Sequence, residues 1–134
     1  MSAIYEFRYE YYDGASDKPK KYVILESNPD GNYMLVYNDG QKYCANITDK
    51  VDEFCNRIYK SSFSSWHNKK YVSDIDFFPN MNWLLRIRTD SVLLYCEGEN
   101  EFPNNWNDFV QILNDIGVYI ELYLCLNYKT TLRE

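Results

Sequence analysis

Aromatic and charged residues alternate strictly near the start of the chain, and this pattern constrains the fold more than any other feature. Every second position carries a ring and the positions between carry charge: Tyr5, Phe7, Tyr9 and Tyr11 alternate with Glu6, Arg8 and Glu10. A period of two with aromatic enrichment is typical of a half-buried β-strand. The chain therefore contains a sheet, and the tyrosines of this strand are candidates either for its core or for a binding surface.

The rest of the chain contains several further strand patterns separated by turn residues. Strands are predicted over residues 21–26, 32–37, 42–45, 71–77, 83–88 and 92–97. Asn38-Asp39-Gly40 predicts a hairpin, because Asp-Gly suits the type I′ turn. Apolar residues alternate again from Val118 to Leu126. This pattern leaves two alternatives for residues 118–128, a final strand or a continuing helix.

Two segments have the apolar spacing of amphipathic helices. The first covers about 49–62, with Thr48 as a candidate N-cap and a stripe of apolar side chains at Val51, Phe54, Cys55 and Ile58. The second covers about 105–116, between Pro103 and a C-capping Gly117. Strand, turn, strand and helix occur in this order twice, which suggests a pseudo-repeat. We therefore predict one α+β domain over 1–134, an antiparallel sheet of hairpins packed against two helices.

Charge and hydropathy limit the class of partner. The 134 residues include 20 acidic and 14 basic side chains, for a net charge of −6, so nucleic acid is not expected as a direct partner. No apolar run is long enough to cross a membrane, and the first residues lack an apolar signal core. The expectation is a cytoplasmic protein without a membrane partner.

The residues needed for common enzyme sites are sparse. His67 is the single histidine, and the four cysteines, which form no C-x-x-C pair, are expected to be buried thiols: Cys44, Cys55, Cys96 and Cys125. No metal or cofactor is predicted. The alternative that remains open is a small hydrolase or small-molecule-binding protein that uses Asp74, Asp76, His67 or a cysteine.

One segment of the chain carries a distinctive aromatic pattern. Residues 66–116 contain a Trp-led strand, a hairpin, and a Gly-x-Asn-x-aromatic-Pro segment before a helix: Trp83, Gly98, Asn100, Phe102, Pro103, Trp106 and Phe109. This segment resembles functionally uncharacterised small proteins of low-GC Gram-positive bacteria. The resemblance implies structural roles: a bend at Gly98, a helix start at Pro103, and core positions for Trp83 and Phe109. It implies no catalytic residue.

The predicted function rests on acidic and tyrosine side chains. Glu97, Glu99 and Glu101 form the densest acidic stretch, on a predicted loop, and the face of Tyr5, Tyr9 and Tyr11 is the second candidate interface. The many Asn and Tyr codons and few Ala codons indicate an AT-rich genome. We expect a non-enzymatic protein-binding module, an inhibitor- or immunity-like protein of a bacterium or its phage or mobile element. Anti-CRISPR proteins share this profile. The expected partner is a protein with a basic surface, and the sequence leaves the oligomeric state open.

Overall fold

The structure, a computed structural model, describes residues 3–14, 17–27, 31–73 and 81–117. These residues form seven strands and two α-helices: β1 (Ile4–Asp13), β2 (Lys21–Ser27), β3 (Tyr33–Asn38), β4 (Lys42–Asn46), α1 (Val51–Lys60), β5 (Lys69–Val72), β6 (Met81–Thr89), β7 (Leu93–Glu99) and α2 (Trp106–Asp115). Short 3-10 helices at Thr48–Lys50 and Phe63–Trp66 precede α1 and β5.

The strands form one sheet in the order β4-β3-β2-β1-β6-β7-β5. Neighbouring strands are antiparallel up to β7, which confirms the α+β class and the predicted hairpins. The one exception to the predicted antiparallel pairing among the described strands is at an edge of the sheet, where β5 pairs parallel to β7. Along the chain, β5 and β7 are separated by the whole of β6, which runs antiparallel to β7, so the connection between them is long enough for parallel pairing.

Both helices pack on the same face of the sheet, here called the inner face. Phe54 of α1 and Phe109 of α2 lie with their ring centroids 5.8 and 6.2 Å from Phe7 of β1. Trp106 of α2 lies 5.7 Å from Tyr9, two residues further along the strand. Residues two apart in a strand share a face, so the alternation read from the sequence directs the rings of Phe7 and Tyr9 towards the helices.

The predicted helices exist, but the first begins differently from the prediction. Thr48 is not an N-cap, because its Oγ1 accepts a hydrogen bond from the backbone N–H of Tyr33 at 2.9 Å and so ties the helix entry to β3. Lys50 precedes α1 without a side-chain cap. The second helix is confirmed: Gly117 follows α2 with φ of +97°, and its N–H donates to the Asn114 carbonyl.

The hairpin between β3 and β4 is confirmed, but its turn is longer than predicted. Asn38 pairs with Lys42, so three residues connect the strands. Gly40 has φ of +109°, and its N–H donates to the side-chain oxygen of Asn38 at 2.9 Å. A type I′ turn needs two connecting residues with positive φ, and Asp39 does not have it.

Three other predictions concern the second half of the chain. Glu97, Gly98 and Glu99 belong to β7, so the acidic stretch begins on a strand and only Glu101 lies in the following loop. Gly98 consequently lies inside a strand and not at a bend. The predicted strand 71–77 is observed as Lys69–Val72, whereas Asp74, Asp76 and residues 118–128 lie outside the described residues.

Candidate functional site

The face of the sheet opposite the helices, here called the outer face, carries charged and aromatic side chains on four neighbouring strands. The register places Arg8 of β1 opposite Arg86 of β6, and Arg86 opposite Tyr95 of β7. The same alternation defines the members of the outer face: Tyr5, Glu6, Arg8, Glu10 and Tyr12 of β1; Asn82, Leu84, Arg86 and Arg88 of β6; Leu93, Tyr95, Glu97 and Glu99 of β7; and Lys70 and Val72 of β5.

One part of the outer face is acidic, and we call Glu10, Glu97, Glu99 and Lys70 the acidic end. Lys70 lies opposite Glu97 in the register and forms an ion pair of 3.3 Å with Glu99. A shallow depression of about 200 Å³ lies here, lined by Tyr12, Lys70, Asn82, Trp83, Leu84, Glu97, Gly98 and Glu99. Small-molecule sites are typically deeper, with volumes of roughly 300–1,000 Å³.

Glu10 is a buried carboxylate that its neighbours keep ionised. Burial raises its pKa, but hydrogen bonds from the Tyr12 hydroxyl and from Arg8 Nη1 at 2.6 Å outweigh that effect, so the pKa lies below its usual value. The hydrogen bond between Tyr12 and Glu10 is also the main cause that raises the pKa of Tyr12, to about 12. Tyr12 is therefore a fixed hydrogen-bond donor at neutral pH, and Glu10 supplies a constant negative charge.

The other part of the outer face is cationic, and we call Arg8, Arg86, Arg88 and Glu6 the arginine end. It holds three of the five arginines in the chain. Two of them lie over tyrosine rings: the guanidinium of Arg86 is 5.6 Å from the Tyr95 centroid, and that of Arg88 is 5.5 Å from the Tyr5 centroid. Glu6 also forms an ion pair of 3.4 Å with Arg86.

Large apolar side chains are exposed beside the arginines. Tyr5 is 59% exposed, Leu93 62% and Tyr95 39%. Single exposed apolar residues are normal on protein surfaces, but tyrosine and arginine together are the residue types enriched in protein interfaces. The arrangement can therefore bind a flat protein surface through rings and paired charges.

The predicted tyrosine face is wrong for Tyr5. Tyr5 and Glu6 together lie opposite Arg88, because the register shifts between Ile4 and Glu6, and this bulge turns Tyr5 to the outer face. Tyr9 is 1% exposed and belongs to the core, and Tyr11 is half-buried against it, so neither lies on the outer face. The alternation of the sequence predicts that Tyr9 and Tyr11 lie on the inner face, but it does not predict the bulge at Tyr5.

Glu101 differs from the other two glutamates of the predicted acidic surface. Its backbone carbonyl accepts the indole N–H of Trp83 at 2.7 Å, and its side chain accepts the backbone N–H of Phe102 at 3.2 Å. Glu101 thus helps to fix the loop before α2, while Glu97 and Glu99 lie on the outer face.

Four of the side chains considered for catalysis lie among the described residues: His67, Cys44, Cys55 and Cys96. His67 Nδ1 accepts the backbone N–H of Tyr95 at 3.0 Å, which fastens the entry of β5 to β7. Cys55 and Cys96 are buried as predicted, but the prediction is wrong for Cys44, which is exposed on the edge strand β4. Within the described part of the chain, no three His, Cys, Asp or Glu side chains converge in a way that would hold a metal ion.

The thiols provide a direct test of this burial. Burial, with smaller contributions from Asp90 and Asp52, raises the pKa of Cys55 to about 11, and burial beside Glu97 raises that of Cys96 to about 12. In the native protein at mildly alkaline pH, we expect iodoacetamide to alkylate Cys44 and to react with Cys55 and Cys96 on the order of a hundredfold more slowly. Peptide mass mapping before and after unfolding measures this, and rapid native alkylation of Cys96 would contradict the buried assignment.

The arginine end was not predicted from the sequence. Arg86 and Arg88 occupy alternating positions of a predicted strand, but their position beside Arg8 depends on the pairing of β1 with β6, in which Arg8 lies opposite Arg86. The available signal was the concentration of the few arginines on two amphipathic strands.

Comparison of the chain with protein-family models, with curated proteins and with solved structures found no match. The resemblance of residues 66–116 to small Gram-positive proteins stays a prediction. Within the described residues, no helix combines the length and apolar character needed to cross a membrane.

Proposed function

We propose that the protein is a non-enzymatic protein-binding module, an inhibitor- or immunity-like protein of a bacterium or its mobile element, and that its outer face covers a basic surface of another protein. The observation that carries the proposal is the group of exposed side chains Tyr5, Leu93 and Tyr95 on an open sheet face, next to ordered charges. Large rings and arginines provide most of the binding energy in typical interfaces.

The acidic end supports a basic partner. Glu97 and Glu99 are two residues apart on β7 and share the outer face, with Glu10 on the same side of the sheet. The whole chain carries a net charge of −6, so its long-range field attracts cationic surfaces and speeds association. The shallowness of the depression beside these residues favours a protein partner over a small molecule.

The proposal is tested by placing a photo-crosslinking phenylalanine analogue at exposed tyrosines. Tyr95 and Tyr5 lie on the outer face, and Tyr59 of α1 is equally accessible at 64% exposure but lies on the helical side. In cells that express the protein, we expect Tyr5 and Tyr95 variants to give on irradiation the same heavier adduct, which mass spectrometry distinguishes from a cross-link between two copies of this chain. The Tyr59 variant provides the matched control and is expected to give none.

The same adduct tests the role of charge. We expect Glu97→Gln with Glu99→Gln to reduce the adduct yield several-fold, because loss of the acidic end slows association. Glu53→Gln, on the exposed side of α1, is the control and leaves the yield unchanged. The binding proposal fails if positions 5 and 95 give no adduct, or if Tyr59 gives the same one. An unchanged yield for the double variant removes the basic-partner assignment alone.

A further inference from the structure

We propose that the outer face also binds a second copy of this chain, face to face, about a two-fold axis that runs across the strands between the acidic end and the arginine end. This inference goes beyond the proposed function, because it requires no other protein. It follows from the distribution of charge on the outer face.

On β1, β5, β6 and β7, the two ends of the outer face carry equal and opposite charge. The acidic end combines three carboxylates, Glu10, Glu97 and Glu99, with one ammonium group on Lys70, for a net charge of −2. The arginine end combines three guanidinium groups, Arg8, Arg86 and Arg88, with the carboxylate of Glu6, for a net charge of +2. A surface of this kind is electrostatically complementary to itself.

The geometry of the sheet allows the two ends to meet. On β6, Asn82 and Leu84 lie beside the residues of the acidic end, and Arg86 and Arg88 belong to the arginine end. With a rise of about 3.3 Å per residue, the centres of these two pairs lie about 13 Å apart along the strand. Rotation by 180° about an axis across the strands reverses that direction, so each acidic end faces the arginine end of the other copy.

A second copy also relieves repulsion within one chain. Arg8 and Arg86 lie directly opposite each other on neighbouring strands, and like charges in this position destabilise a sheet. Arg8 forms an ion pair with Glu10, and Arg86 forms one with Glu6. The guanidinium of Arg88 lies over the ring of Tyr5. The acidic end of a second copy supplies further negative charge, and the contact removes Tyr5, Leu93 and Tyr95 from water.

Charge reversal on the outer face tests the dimer in purified protein. Arg88→Glu removes the net positive charge of the arginine end, and Glu99→Arg removes the net negative charge of the acidic end. In sedimentation velocity at about 0.1 M salt, which screens the long-range repulsion between two chains of charge −6, we expect a dimer for the parent chain and at least about tenfold weaker self-association for each variant. An equimolar mixture of the two variants is expected to restore the dimer, because the unchanged acidic end of one variant then faces the unchanged arginine end of the other.

Matched controls and a second pair keep the test decisive. Lys60→Glu and Glu53→Arg reverse exposed charges on α1, away from the outer face, and should leave the dimer intact. Arg86→Glu mixed with Glu97→Arg replaces the first pair if circular dichroism shows a folding defect. A monomeric parent chain overturns the inference, and so does a dimer that the α1 controls weaken equally or that the mixture fails to restore. None of these outcomes bears on the adduct with another protein.

Discussion

Replacement of Trp83 by alanine is expected to lower the free energy of unfolding by about 3–5 kcal/mol, because it removes a large buried ring from the centre of the aromatic core. The Trp83 ring stacks on Phe102 with centroids 5.1 Å apart and lies 4.9 Å from Trp106. Its N–H donates to the Glu101 carbonyl at 2.7 Å, so the substitution also removes a partly buried hydrogen bond.

Chemical denaturation followed by circular dichroism measures this effect. Trp83→Phe retains a stacked ring but loses the indole N–H, so its cost should fall between those of the parent and the alanine variant. Tyr59→Ala, on the exposed side of α1, serves as the control and should change stability by no more than about 0.5 kcal/mol. A loss below about 1 kcal/mol for Trp83→Ala would show that the ring does not pack as described.

The same strand carries the core and the candidate interface on alternate residues. Trp83, Leu85 and Ile87 of β6 are buried on the inner face, and Arg86 and Arg88 are exposed on the outer face. Core variants therefore reduce binding only through loss of folded protein. Outer-face variants should change binding at nearly constant stability, and this difference separates the two roles in one element.

The local patterns of the sequence predict most of the secondary structure. The stripe of α1, at Val51, Phe54, Cys55 and Ile58, is buried as its spacing indicates. The alternation of β6 produces its alternating burial, and Trp83 and Phe109 belong to one core cluster, as predicted. These features follow from period and hydrophobicity alone, so they need no knowledge of which strands pair.

The features that the sequence did not predict depend on pairing between distant strands. The outward position of Tyr5 results from the extra residue between Ile4 and Glu6 relative to β6, which no local pattern marks. The parallel pairing of β5 and the meeting of Arg8 with Arg86 likewise depend on the order of strands in the sheet. The candidate interface was therefore only half predictable, at Glu97 and Glu99 but not at the arginines.

Gly98 connects the core to the outer face, and its replacement by alanine is expected to cost about 1–3 kcal/mol through overpacking. A Cβ at this position would lie 2.6 Å from both the Glu101 carbonyl oxygen and Cε2 of Trp83, closer than real contacts allow. The backbone of Gly98 is in β7 with an ordinary φ, so the glycine is needed for the close approach of the indole and not for a bend. Chemical denaturation measures the loss.

The physical cause of this loss can be separated from a general intolerance of the strand by a double-mutant cycle. Trp83→Phe shortens the ring that overlaps the added methyl group, so Gly98→Ala should cost less in the Trp83→Phe background than in the parent chain. Because the Glu101 carbonyl also lies close to the added atom, the rescue should be partial. Equal costs in the two backgrounds would show that the indole does not limit this position, and the close packing of Trp83 on Gly98 would then be wrong.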